Sequence, residues 1–372
     1  MRVSRVVMVL VVLVASVGML FAGGQRQADT IKIGVAGVHS GDLAPFGLPT
    51  VNAARMVADQ VNSAGGLLGR QIELVVEDDQ CAPDVATNTA AKLLSDGVVA
   101  VIGHICSGAT STALAIYEPE RLVSISPSAT NPALTDFPNF FRTIAPDDAQ
   151  AALQVAFAVD ELGAQRVALL HDREDYGRGL AEFAQGYLQE AGVQVVLFEG
   201  ITAGAVDYSA IINRVAAENA DLVIFGGYHP EASKLVDQMR SRGLNTAFMS
   251  GDGIFNDTFI DVAGAAAEGV YSTSPKDTGD NPIALAAIQA HVARFGEEPG
   301  AFFMNAYAAA LALFNAIEKA GSTDYDAIIA ALRSEEVDTP LGRLTFDADG
   351  NATGVGFSVY RVQSGRFVQV SD

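Results

Sequence analysis

Short apolar runs alternate with amphipathic stretches along almost the whole chain, and the rhythm is played twice. This alternation constrains the fold most. Strands joined by helical crossovers must lie parallel, with helices covering both faces of the sheet. Ile31 to Val35 reads as a strand, and Val51 to Asn62 as a helix with Ala53, Met56, Val57 and Val61 on one face. Ala64-Gly65-Gly66 ends that helix, and Ile72 to Val76 is the next strand. A helix over Val85 to Leu94, a strand over Val98 to Ile102, a turn at Cys106-Ser107-Gly108, a short helix to Tyr117 and a strand over Leu122 to Ser126 follow. The chain then runs through Asn139 to Ala145 into the acidic turn Pro146-Asp147-Asp148.

The second copy predicts helices over Ala151 to Leu162, Gly179 to Glu190, Ala210 to Ala217 and Glu231 to Arg240. Its strands are Arg166 to Leu170, Val193 to Phe198, Leu222 to Phe225, Ala247 to Ser250 and Val270 to Thr273. Ser274-Pro275-Lys276 breaks the pattern. Helices over Ile283 to Phe295, Met304 to Ala320 and Tyr325 to Leu332 follow, then short strands at Leu344 to Phe346, Phe357 to Tyr360 and Phe367 to Val370. Two similar α/β halves imply two open, mostly parallel sheets facing a cleft. Ligands bind beyond the carboxyl ends of such strands.

The chain has 372 residues, enough for two domains, and its formal charge of −21 excludes a nucleic-acid or anionic-membrane partner. Arg2 and Arg5 precede an apolar run from Val6 to Ala22, followed by Gly23 and Gly24. This is the layout of a signal peptide over residues 1–24, and the run of about 17 residues is at the lower limit for a membrane anchor. No cysteine follows it to carry a lipid, and no other segment is apolar enough to span a bilayer, so the mature protein is expected to be soluble. Cys81 and Cys106 are the only cysteines. In an exported chain an even pair suggests a disulfide. The alternatives are a metal site with His104, which offers only two ligands, and a redox pair, which lacks C-x-x-C spacing.

The residues just after the strands carry the chemistry. Ile102 leads to Gly103-His104-Ile105-Cys106-Ser107, and Ile125 to Ser126-Pro127-Ser128-Ala129-Thr130-Asn131. Ser107 and Thr130 stand where helices begin, so their hydroxyls and nearby N–H groups can receive a carboxylate, or serve as ordinary caps. In the second half, Leu170 leads to His171-Asp172-Arg173-Glu174-Asp175-Tyr176, Phe225 to Gly226-Gly227-Tyr228, and Met249 to Ser250-Gly251-Asp252-Gly253. Asp252 could pair with an ammonium group or simply hold a turn. Tyr176 and Tyr228 could wall an apolar side chain or pack in a core. No dinucleotide fingerprint, P-loop or nucleophile elbow occurs, and His39, His104, His171, His229 and His291 lack metal-ligand spacing. No catalytic residue, metal or cofactor is expected.

Several runs together resemble the periplasmic branched-chain amino acid-binding proteins, the leucine/isoleucine/valine receptors of ABC transporters. They are Val101-Ile102-Gly103-His104-Ile105-Cys106-Ser107, Asp175-Tyr176-Gly177-Arg178-Gly179-Leu180-Ala181, Gly226-Gly227-Tyr228-His229-Pro230-Glu231 and Gly200-Ile201-Thr202-Ala203-Gly204 with Asp207-Tyr208-Ser209. The resemblance covers essentially the whole chain from Ile31. It implies two α/β lobes joined by three crossovers, with residues 29–147 plus 277–354 in one lobe and 148–276 plus 355–372 in the other. It implies that Ser107 and Thr130 hold a ligand's α-carboxylate, while Asp252, the backbone carbonyl of Ser128 beside Ala129, and Thr130 hold its α-ammonium. Phe46, Tyr176, Tyr228 and Phe302 would surround the side chain, and Cys81–Cys106 matches the family disulfide.

The chain departs from the family at Phe46, often Tyr; at Ser128, often Ala; and at Asp252, where well-known members have Glu. The expected activity is capture of leucine, isoleucine or valine and delivery to a permease, by a periplasmic monomer that is not an enzyme. Another small amino acid, an amide or urea as ligand, or a periplasmic α/β enzyme, are the alternatives.

Overall fold

The computed structural model describes residues 30–372, so the expected signal peptide at residues 1–24 lies outside the described residues. The first half runs β1 (Ile31–Gly37), α1 (Ala44–Ser63), β2 (Ile72–Asp78), α2 (Pro83–Asp96), β3 (Ala100–Ile102), α3 (Ser107–Tyr117), β4 (Val123–Ser126) and β5 (Phe140–Arg142). These strands form one sheet in the order β2-β1-β3-β4-β5, every pair parallel. Six of the seven residues of β1 are buried, which is why its Ile-Lys-Ile-Gly-Val-Ala-Gly run is nearly continuous rather than alternating. β2 lies at the edge and carries Glu73, Glu77 and Asp78, charges that discourage a further strand from pairing there.

The second half runs α4 (Asp147–Asp160), β6 (Arg166–His171), α5 (Asp175–Glu190), β7 (Gln194–Gly200), α6 (Ser209–Ala217), β8 (Leu222–Gly226), α7 (His229–Ser241), β9 (Ala247–Ser250), α8 (Asp257–Ala263) and β10 (Tyr271–Pro275). There follow α9 (Pro282–Phe295), α10 (Phe303–Ala320), α11 (Tyr325–Ser334), the hairpin β11 (Val337–Thr339) and β12 (Gly342–Leu344), then β13 (Phe357–Gln363) and β14 (Arg366–Ser371). The second sheet is ordered β7-β6-β8-β9-β10-β13-β14. Its first five strands repeat the order of the first sheet and are parallel, while β13 and β14 join antiparallel.

Helices α10 and α11 return to the first sheet. Ile31, Ile33 and Val35 of β1 share one core with Val57 of α1, Phe303, Leu313 and Ile317 of α10, and Ile328 of α11. The two faces of the second sheet have their own cores, one around Phe225, Val236 and Phe248, the other around Val155, Leu169 and Leu180. Within the described residues the chain therefore passes between the lobes three times, after β5, after β10 and before β13.

The expected strands and helices are present, with shifts at their ends. β5, β11 and α8 were not expected. β12 ends at Leu344, while Phe346 makes only an isolated bridge to Ala352. The expected acidic turn at 146–148 is the start of α4, with Asp147 and Asp148 in its first turn. Pro followed by acids signals a turn and a helix N-terminus alike, because both use a fixed φ and exposed N–H groups.

Candidate ligand-binding site

In both sheets the chain leaves the second strand in opposite directions, toward β2 and β3 from β1, toward β7 and β8 from β6. Such a reversal opens a crevice beyond the carboxyl ends of the strands. The two crevices face each other across a cavity of about 270 Å3, walled by Phe46, Ile105, Ser107, Ser128, Tyr176, Tyr228, Asp252, Gly253 and Phe302. The structure thus brings together seven of the nine residues expected to touch a ligand. Ala129 and Thr130 are fully buried behind the wall and not part of it. Ile105 and Gly253 had no signal of their own, but each neighbours a residue that did.

The first lobe presents hydroxyls held by a laced backbone. Cys106 pairs with Cys81, and Ser107, next to it, opens α3, whose first N–H groups have no partner inside the helix. The Ser126 hydroxyl donates to the His104 carbonyl (2.6 Å) and accepts from Ala129 N (2.9 Å). Ser128 Oγ donates to the Ile105 carbonyl (2.9 Å), and Ser107 Oγ accepts from Asn131 N (3.3 Å). These bonds tie the turn after β3 to the turn after β4. Buried Arg142 reinforces the second turn by donating from Nη1 to the carbonyls of Thr130 (2.8 Å) and Asn131 (3.0 Å), and from Nε to Asn351 Oδ1 (2.6 Å). The expectation that Thr130 begins a helix is corrected. It precedes a five-residue 3-10 turn, Pro132–Asp136, that Asn131 caps, because Pro132 favours the first position of a tight turn as much as that of an α-helix.

The second lobe presents an acid and two aromatic rings. Asp252 lies in a single 3-10 turn just after β9 and is 2% exposed. Tyr176 Oη donates to Asp252 Oδ1 (2.6 Å) and accepts from Gly253 N (3.1 Å), so Tyr176 clamps the acid as well as walling the cavity. Burial pushes the Asp252 carboxyl up to about 6, against the pull of the hydrogen bond from Tyr176. Two glycines allow this geometry. A Cβ on Gly226 would stand 1.9 Å from the Gly177 carbonyl oxygen, and one on Gly177 2.4 Å from the Gly226 carbonyl oxygen. Their close approach seats the start of α5 on the end of β8 and stacks the Tyr176 and Tyr228 rings 5.2 Å apart.

The aromatic wall crosses from lobe to lobe. Phe46 of α1 lies 5.6 Å from Phe302, 6.4 Å from Tyr228 and 5.5 Å from the His229 ring. Phe302 adopts φ +61°, a left-handed conformation uncommon for a bulky side chain, at the residue before α10. Beside the cavity, Asn131 Nδ2 donates to the Asp175 carbonyl (2.8 Å), a direct hydrogen bond between lobes.

A larger cavity of about 710 Å3 lies among the three crossings, bordered by Ile144, Lys276, Asn281 and Gly356, and none of the residues expected to touch a ligand lines it. His104 is fully buried between Asp79 (2.6 Å) and Tyr117 (3.0 Å), a supporting role beneath the disulfide. His229 is pushed down to about 4 by burial and is therefore neutral near pH 7. Among the described residues no group of three acids, histidines or cysteines is placed to hold a metal ion, and no helix is long and apolar enough to cross a membrane.

Known proteins share this fold. The chain is 38% identical over 342 residues, 91% of its length and 92% of the other's, to a leucine-, isoleucine-, valine-, threonine- and alanine-binding protein of Pseudomonas aeruginosa. It is 36% identical over 335 residues to the Leu/Ile/Val-binding protein of Escherichia coli, covering 90% of this chain and 91% of that one. Among solved structures, a leucine-binding protein from Thermotoga maritima superposes with a TM-score of 0.86 at 27% identity, over 92% of this chain and 98% of that one. A branched-chain amino acid transporter substrate-binding protein from Streptococcus pneumoniae, in complex with isoleucine, gives 0.81 at 29% identity, over 92% of this chain and all of that one. The profile of one family, described as periplasmic binding protein, matches residues 30–366, and the chain belongs to that family.

Proposed function

We propose that this protein captures a branched-chain aliphatic amino acid between its lobes and hands it, chemically unchanged, to an ABC-transporter permease. One observation carries the reading: a buried acid clamped by a tyrosine faces a helix-start serine across a small cavity walled by four aromatic rings. A zwitterion meets the requirement that buried charges be paired and hydrogen-bonded. Its carboxylate would lie against Ser107 and the first N–H groups of α3, with Thr130 supporting from behind. Its ammonium would lie between Asp252 and the Ser128 carbonyl beside Ala129. Phe46, Tyr176, Tyr228 and Phe302 would enclose the aliphatic chain, with roughly 0.8 kcal/mol for each buried methylene.

In this reading the hinge divides residues 29–147 plus 277–354 from 148–276 plus 355–372. The ligand bridges the lobes and shifts an open–closed balance toward the form a permease recognises. Export through a signal peptide at residues 1–24, periplasmic residence as a monomer and the absence of catalysis belong to the same proposal. The names of the relatives support it. The test is a calorimetric panel of the twenty amino acids on the purified mature protein, with chemical identification of whatever co-purifies. Tight binding of leucine, isoleucine or valine is expected, and no heat with any of the twenty refutes the proposal. A second reading, a receptor that also takes threonine and alanine, is favoured by the breadth of the Pseudomonas aeruginosa relative. The same panel separates the two.

A further inference from the structure

Several buried polar atoms behind the Asp252 end of the cavity complete no well-formed hydrogen bond among the described residues. They are Asp252 Oδ2, both carboxyl oxygens of Asp147, Thr130 Oγ1 and both side-chain amide atoms of Gln150. Asp147, Thr130 and Gln150 are fully buried. Native proteins pair nearly all such atoms, so two buried carboxyls left in this way call for a proton or a counter-charge. Asp147 and Gln150 stand three residues apart in the first turns of α4 and so share a helix face. Gln150 Oε1 reaches toward Gly251, beside Asp252, where a Cβ would stand 2.6 Å from it. Asp147 lies beside the Thr130 hydroxyl and within electrostatic reach of Asp252.

The other charged or titratable groups around Asp147 are Arg142 on β5, Asp148 on α4, Tyr176 on α5 and Tyr228 after β8, with Asp347 beyond Arg142. Arg142 is the one cation among them. With the cleft empty, the carboxyls of Asp147 and Asp252 outnumber it. An incoming ammonium group restores the balance.

We infer that Asp147 and Asp252 act as one pair, which keeps a proton while the cleft is empty and releases it to solvent when an α-ammonium group docks. Asp147 does not touch the cavity, so it is a positioning residue acting through Thr130 and Asp252. The inference rests on the amino-acid-binding reading above. Burial raises both carboxyls, Asp147 well above the carboxylate range with Asp252 as the next cause, while Thr130 and Arg142 pull it back. Because the occupied site holds fewer protons, protons compete with the ligand. Affinity therefore falls as pH drops through the raised carboxyl range, around 6 for Asp252, and levels off once the empty pair is ionised.

The test is a calorimetric titration with leucine, or with the tightest ligand of the panel, near pH 6 in two buffers of unlike ionisation enthalpy. The apparent heats should differ in the sense of proton release, and Kd should weaken at least tenfold between about pH 8 and pH 5. In Asp147→Asn the pair is broken and only the Asp252 carboxyl, raised by burial, still titrates, so the release and the pH slope should both shrink while binding at pH 8 persists. A purely structural role for Asp147 would weaken binding equally at every pH and leave the release in place. Asp172→Asn is the control, since burial pushes Asp172 to about 7 outside the cavity wall, and this variant should keep the release. Equal heats and a flat profile in the wild-type protein overturn the inference even if Asp147→Asn does not fold, and leave the binding reading intact. Absence of binding by every amino acid overturns both.

Discussion

The two lobes share one strand order but offer a ligand opposite chemistries. In the proposed site the first lobe would work through hydroxyls and backbone at two turns that Ser126, Ser128 and Arg142 lace together. The second would work through one carboxyl, held by one tyrosine, on a turn of three residues. Distributed contacts tolerate the loss of a member, whereas a single buried charge does not. In this proposal the same end of the sheet serves once as a redundant cradle and once as a single-point clamp.

Substitutions can break or sharpen that contrast. Asp252→Ala should cost about 3 kcal/mol or more, over a hundredfold in Kd for leucine by calorimetry, because it leaves a buried ammonium unpaired. Replacing both Cys81 and Cys106 by Ser should remove about 3 kcal/mol of stability from the cradle lobe, since the bridge closes a separation of 25 residues, and thermal unfolding would read it as a lower Tm. Ser107→Ala should cost only about 1–2 kcal/mol of binding, because the N–H groups at the start of α3 remain. A loss equal to that of Asp252→Ala would end the idea of a redundant cradle. Phe46→Tyr should change affinity by about 1 kcal/mol or less, as the ring keeps its place against Phe302 and Tyr228.

The repeated α/β rhythm was legible because each strand is a run bounded by turn residues, and strand ends then narrowed the search to a few turns. β5 escaped because three residues, Phe140 to Arg142, carry no period, and their pairing depends on β4 beside them. Asp147 was readable only as part of an acidic turn, because its surroundings come from Thr130 and from Asp252, more than a hundred residues away. Tyr176 was expected as a wall, and its bond to Asp252 depends on a Gly177–Gly226 approach that local sequence does not encode. Ile105 and Gly253 are walls by position alone. Residues whose role is set by neighbours in sequence were visible, and those whose role is set by residues distant in sequence were not.

The return of α10 and α11 to β1 has a consequence for how the molecule comes into being. The apolar face of Ile31, Ile33 and Val35 is covered by Phe303, Leu313 and Ile317, almost three hundred residues later. A chain emerging from the ribosome has only α1 to set against that face until α10 has been made. The first lobe therefore completes its core only when nearly all of the chain has been synthesised.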